Sequence, residues 1–220
     1  MGAKTWMIVC SDGNQQEILR SKPELDRDRT VAFAKKLFPA EKLEALEDGS
    51  LSFTCPPDDE LVAGCFPGVS VVAGKEFGID YPSQLAARFL NANPHRFLYL
   101  HAMHSVVDWF AYAVWQGGKL QRSLSLSPDS GLLEDIGERL PFEKPFWAGL
   151  RPVSDSDGDD DAYPFVFHPQ VVFHPLELGE AALLALFGYQ LEGIADPPDD
   201  VPLMRFKRSM SWWRRLINSH

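Results

Sequence analysis

Cysteine is scarce in this chain of 220 residues, which has only Cys10, Cys55 and Cys65 and no Cys-x-x-Cys pair. An odd number of cysteines at these spacings excludes a disulfide framework and a zinc ribbon, so we expect reduced thiols in a cytoplasmic protein. Long apolar runs are also absent, since none approaches the ~18 residues of a membrane span. The first apolar run, residues 5–10, is too short for the core of a signal peptide.

Glycine-rich signatures and positive charge are lacking as well. The sequence contains no phosphate loop, no dinucleotide-binding fingerprint and no Gly-x-Ser-x-Gly nucleophile elbow, and we expect no cofactor. Its 21 Lys and Arg against 31 Asp and Glu give a net charge of −10. This deficit argues against a nucleic-acid partner, because phosphate backbones bind to basic surfaces.

What the chain does contain is typical of a globular protein, with 45% hydrophobic and 24% charged residues. Alternating strand and helix patterns predict a single α+β domain over residues 1–195, with a mixed, mainly antiparallel sheet, a central hairpin and three to four flanking helices. An acidic, proline-containing linker follows at 196–202, and a basic amphipathic tail at 203–220.

Individual elements follow from local signals. Helices are predicted at 28–38, where Asp26 or Asp28 can cap the start, and at 178–191, closed by Gly193. A short helix is predicted at 132–139. Residues 69–73, 83–93 and 97–103 form a predicted strand–helix–strand crossover.

The most clearly defined element is a hairpin around the glycine pair 117–118. A two-residue turn there pairs Trp115 with Leu120 and Ala113 with Arg122. This register places Arg122 on an otherwise apolar stripe of the second strand.

A guanidinium on that stripe needs a partner, because an unpaired buried charge is very costly. Two interpretations of Arg122 remain open. The first is a structural ion pair with Glu134 or Asp135, which is the commoner situation in proteins. The second is an anion-binding arginine in a ligand pocket walled by Trp109 and Trp115.

His101, His104 and Asp108 are the most metal-like cluster and the candidate catalytic residues. Their segment is predicted to be a strand, which would turn His101 and His104 to opposite faces unless a bulge reunites them. A metal would need a further ligand, for which His168 and His174 are the candidates. The alternative is a pair of hydrogen-bonded histidines at a strand end.

The tail combines an apolar stripe at helical spacing with positive charge and no acid. The stripe consists of Leu203, Phe206, Met210, Trp213 and Ile217, and the cations are Arg205, Lys207, Arg208, Arg214 and Arg215. Such a basic amphipathic helix suits a protein partner or an anionic membrane surface. The alternative is that the tail packs on its own acidic body.

Several strings of residues carry a family resemblance. They are MGAKT at 1–5, LHAMHSVVDW at 100–109, RSLSLSPD at 122–129 and HPLELG at 174–179. Over residues 1–193 the chain resembles an uncharacterised, mainly actinobacterial family of soluble proteins with a domain of unknown function. The resemblance implies a cytoplasmic bacterial protein of one domain, transfers no activity and no catalytic residue, and does not extend to the tail.

These observations predict a non-enzymatic module that binds or regulates another protein, in the manner of an immunity protein or antitoxin. The tail and the aromatic loop 142–147 are its expected contact elements. The alternative is a metal-dependent hydrolase that uses His101, His104 and Asp108.

Overall fold

A computed structural model describes residues 3–151, 168–193, 199 and 201–210. These residues form one open sheet of ten strands with five α-helices, which confirms the predicted α+β class. The strands are β1 (Lys4–Ser11), β2 (Glu41–Ala45), β3 (Gly49–Ser50), β4 (Glu60–Phe66), β5 (Val69–Ala73), β6 (Phe97–His104), β7 (Trp109–Gln116), β8 (Lys119–Ser127), β9 (Gly131–Gly137) and β10 (Pro202–Met210). The helices are α1 (Gln15–Arg20), α2 (Arg27–Leu37), α3 (Ala87–Ala92), α4 (Lys144–Trp147) and α5 (Pro175–Phe187).

The strands lie in the order β2-β10-β4-β5-β1-β6-β7-β8-β9, and β3 also pairs with β10. Each pair of these strands is antiparallel. Strands β5 and β6 both run antiparallel to β1, so they are parallel to each other with β1 between them. The predicted crossover is therefore present, with an extra strand inserted at its centre.

Helices cover both faces of the sheet. Helices α1, α4 and α5 pack on one face, which we call the α5 face, and α2 and α3 pack on the other, the α2 face. Strand β1 shows why the central strands are almost wholly apolar: Met7 and Val9 contact the core of the α5 face, whereas Ile8 and Cys10 contact that of the α2 face. This alternation decides on which side of the sheet each candidate residue lies.

Two helix predictions hold with small changes at the ends. Helix α2 is capped by Asp26, whose side chain accepts a hydrogen bond from the Arg29 amide. Helix α5 ends earlier than predicted, because Gly188, not Gly193, adopts the left-handed conformation that closes it, with φ of +84°. Residues 132–139 were predicted to be a short helix, and this is wrong: β9 occupies 131–137 and pairs with β8.

The β7–β8 hairpin has the predicted turn, but its register slips by one residue beyond it. Gln121 is an extra residue in β8, so Arg122 lies opposite Val114 and not opposite Ala113. Such a bulge reverses the side to which every following residue points. Arg122 consequently faces the α5 side, where its partners lie, and not the side of Trp115.

The predicted helix in the tail is wrong for residues 203–210, which form β10 between β2 and β4. Spacings of three and four over eight residues do not distinguish a helix from a strand that is buried on both sides. Phe206 is 2% exposed and belongs to the core of the α2 face. Met210 ends β10, while Trp213, Arg214 and Arg215 lie outside the described residues.

The described cations of the tail are neutralised by the body, as the alternative interpretation expected. Arg205 pairs with Glu60, Lys207 with Asp59, and Arg208 with both Glu41 and Glu76. The Arg208 side chain is only 6% exposed and lies over the ring of Phe38. These ion pairs help to hold β10 in place as an inner strand of the sheet.

Candidate binding cavity

Arg122 lies at the centre of a buried ion-pair network. Its Nε and Nη2 donate to the two carboxylate oxygens of Glu143 at 3.0 and 2.6 Å, and its Nη1 donates to Asp135. The side chains of Arg122 and Glu143 are both fully buried. Burial opposes the charge of the guanidinium, but its hydrogen bonds to Glu143 and Asp135 outweigh this effect and raise the pKa of Arg122.

Glu143 connects this network to the aromatic loop. It accepts hydrogen bonds from the Tyr112 hydroxyl at 2.5 Å and from the Leu140 amide at 2.6 Å. Burial, followed by the adjacent Glu143 carboxylate, raises the pKa of Tyr112, which stays a neutral donor. The carboxylate therefore neutralises Arg122 inside the core of the α5 face.

The structure decides between the two interpretations of Arg122. Of the two expected partners Asp135 is correct, whereas Glu134 instead accepts from Ser83 and Ser123. The predicted anion pocket does not form, because Trp109 and Trp115 lie on the α2 face, across the sheet from Arg122. The aromatic side chains of loop 142–147 also pack inside the protein. Phe142 packs on Tyr112, and Phe146 and Trp147 pack on Phe173.

His101 is a buried structural residue on the α5 face. Its Nε2 donates to the Gly179 carbonyl of α5 at 3.0 Å, and its Nδ1 accepts from the Thr5 hydroxyl at 2.6 Å. Burial lowers the pKa of His101 to about 4, so the ring is neutral near pH 7. Gly179 permits this close approach of α5, because an added Cβ would lie 2.6 Å from Met103 Sδ.

The other proposed metal ligands are not assembled around His101. His104 lies on the α2 face, as the strand alternation predicted, whereas Asp108 is 4.0 Å from His174, which caps α5. His168 packs against the turn before β9. Among the described residues no group of three or more His, Cys, Asp or Glu side chains could hold a metal ion.

His104 instead forms part of the wall of an open cavity of about 430 Å³ on the α2 face. The cavity lies where β1 and β7 begin and β6 and β8 end. Three aromatic side chains line it, those of Trp6, His104 and Trp109. The rings of Trp6 and His104 are stacked, with centroids 6.1 Å apart and planes at 17°.

The polar part of the cavity wall includes two acidic side chains. Asp80 and Asp129 line it together with Ser127 and Ser130. Both aspartates are exposed, and neither forms a salt bridge with another residue in the described part of the chain. Burial and the nearby Lys4 ammonium lower the pKa of His104, so the imidazole adds no positive charge near pH 7.

Sequence reasoning named His104 and Trp109 for other roles and missed Trp6, Asp80 and Asp129. The face on which Trp6 lies could have been predicted from the sequence, because Trp6, Ile8 and Cys10 share one face of the first strand. Nothing local links Asp80 or Asp129 to that face. They reach the cavity from two separate loops, one after β5 and the other between β8 and β9.

The chain matches DUF6928, a family of unknown function, over residues 5–206. It belongs to that family. The match extends through the first five residues of β10, so the family resemblance does not stop at residue 193 as expected. No curated protein and no solved structure matches the chain. None of the described helices has both the length and the apolar character required to span a membrane.

Proposed function

We propose that this DUF6928 chain is a protein-binding module whose contact surface surrounds the aromatic cavity. The observation that carries the proposal is an exposed apolar turn at the cavity mouth. In the turn between β6 and β7, Val106 is 73% exposed and Val107 is 52% exposed, and Val107 lines the cavity. Tyr81, next to the cavity residue Asp80, is 44% exposed. Apolar groups concentrated beside a concave site are typical of interaction surfaces.

The residues first considered for catalysis have other roles, which favours binding over the hydrolase alternative. Both ring nitrogens of His101 are engaged within the core, and His104 lies across the sheet from it. Arg122, which was a candidate for ligand binding and not for catalysis, is neutralised by Glu143 and Asp135. We therefore place the proposed partner surface at the mouth of the cavity, and not on the tail and loop 142–147, where the sequence predicted it.

The test is affinity capture from the native host with three baits: the wild-type chain, a Val106→Asn/Val107→Asn double variant, and a Val172→Asn control. Val172 is 50% exposed but belongs to the segment that packs on the α5 face, away from the cavity. We expect the wild type and the control to retain one stoichiometric protein that the double variant loses, while circular dichroism shows all three folded. Equal capture by the three baits, or no stoichiometric partner for any of them, would contradict the proposal.

A further inference from the structure

We infer that the cavity receives a cationic side chain, lysine or arginine, presented by the partner protein, an inference that rests on the proposed function. The first support is the chemistry of its walls. Trp6, His104 and Trp109 present aromatic rings, and the indole is the side chain whose face attracts cations most strongly.

The two indoles are held in place before any ligand arrives. The Trp109 Nε1 donates to the Ser125 hydroxyl at 3.2 Å, which fixes the orientation of the indole. The backbone of Gly78 lies against the Trp6 indole so closely that an added Cβ would be 3.0 Å from its Nε1. A preformed site loses little conformational entropy on binding, so even a single side chain can contribute measurable affinity.

The charges of the cavity select the sign of the ligand. Asp80 and Asp129 supply two carboxylates that form no salt bridge within the described residues. A cation, Lys4, lies nearby, because it is opposite His104 in the register of β1 and β6. The chain as a whole, these residues included, carries a net charge of −10, which attracts a basic partner and repels an acidic one. An anionic ligand in this cavity would be repelled by these two carboxylates.

Size and the state of His104 agree with such a ligand. About 430 Å³ lies within the usual range of roughly 300–1,000 Å³ for ligand pockets and is open to solvent on one side. The Nδ1 of His104 is buried and has no hydrogen-bond partner in the described part of the chain. An imidazole nitrogen that carries no proton can accept a hydrogen bond from a cationic donor.

The experiment is an NMR titration of the ¹⁵N-labelled full chain with three capped amino acids: N-acetyl-lysine methylamide, N-acetyl-arginine methylamide and the neutral N-acetyl-norleucine methylamide. The indole N–H signals of Trp6 and Trp109 report on the cavity. Trp115 is an internal reference, since it lies on the same face at the other end of β7 and does not line the cavity. We expect saturable shifts of the two cavity signals with the cationic compounds and binding of the neutral one at least about tenfold weaker.

An Asp80→Asn/Asp129→Asn double variant tests the role of the carboxylates without disturbing the core, because both side chains are exposed. Its affinity for the cationic compounds should fall about tenfold at low ionic strength, and added salt should reduce the difference. The matched control is Glu44→Gln, which removes a 71% exposed carboxylate from β2 at the opposite edge of the sheet. It should leave the titration unchanged.

The outcomes separate this inference from the proposed function. Equal binding of the neutral compound, no saturable shift, or an unchanged affinity in the aspartate variant would overturn the cation site, while the valine variants still report on partner binding. If the cations bind but the aspartate variant captures the partner as well as the wild type does, the cation does not come from that partner, and the inference fails. Loss of both cation binding and partner capture in the aspartate variant supports it.

Discussion

Replacement of Arg122 by methionine would leave the fully buried Glu143 carboxylate without its cationic partner. The substitution removes two hydrogen bonds to Glu143 and one to Asp135. The Tyr112 hydroxyl and the Leu140 amide still donate to Glu143, but neither neutralises its charge. Removal of one member of a buried ion pair costs about 3–5 kcal/mol, so we expect a loss of that size in the free energy of unfolding.

A double-mutant cycle measured by urea unfolding makes this prediction quantitative. Glu143→Met alone removes the principal partner of the guanidinium, which keeps Asp135, and should cost about 3 kcal/mol, the lower end of that range. The double variant has no buried unpaired charge from this pair, so it should be about as destabilised as Arg122→Met alone, which corresponds to a coupling free energy of about 3 kcal/mol. The control, Arg139→Met, removes a 44% exposed cation that is 3.6 Å from Asp135 and should cost less than about 1 kcal/mol. Additive single-variant losses, or a loss below 1 kcal/mol for Arg122→Met, would refute the reasoning.

Three further predictions concern pH, the last residue of β9 and the tail. Burial lowers the pKa of His101 from 6.5 to about 4, so as pH falls the imidazole takes up its proton in the unfolded chain before it does so in the folded protein. Between pH 7 and pH 4 the free energy of unfolding of the wild type should therefore fall by about 3 kcal/mol relative to that of His101→Gln, measured by urea unfolding. A constant difference between the two proteins would contradict this. Gly137→Ala should be far more destabilising than Gly117→Ala. Both glycines have a positive φ, but only at Gly137 would the new Cβ clash with the backbone, 2.0 Å from a carbonyl oxygen. Equal melting temperatures of the two variants would argue against the described approach of β9 to β8. A chain that ends at Asp200 lacks β10 and should lose cooperative unfolding, whereas one that ends at Met210 should retain it, and a cooperatively folded shorter chain would show that β10 is dispensable.

The parts of the fold that sequence reasoning predicted correctly are those with local causes. The glycine pair at 117–118 fixed the turn of the hairpin, Asp26 fixed the start of α2, and the strand period placed His101 and His104 on opposite faces. A turn, a helix cap and a strand alternation depend on residues that are neighbours in the chain, so they can be predicted without knowledge of the tertiary structure.

The predictions that failed concern features that depend on contacts between residues distant in the sequence. One extra residue, Gln121, changes no local propensity, yet it moves Arg122 to the other side of the sheet. Its principal partner, Glu143, is 21 positions away in a loop that gave no sign of an ion pair. The segment 203–210 matched a helical period but became a strand, because β2 and β4 offered hydrogen-bonding partners on both of its sides.

By itself the sequence determined the α+β class, the hairpin turn, the strand that carries the histidines and the acidic net charge. Tertiary structure alone decided which of these residues meet. It enclosed Arg122 with Glu143, and it brought Trp6, Asp80 and Asp129 together from a strand and two loops into one cavity. The physical reason is that propensity and period act along the chain, whereas a site depends on packing between elements whose spacing in sequence carries no information about their spacing in space.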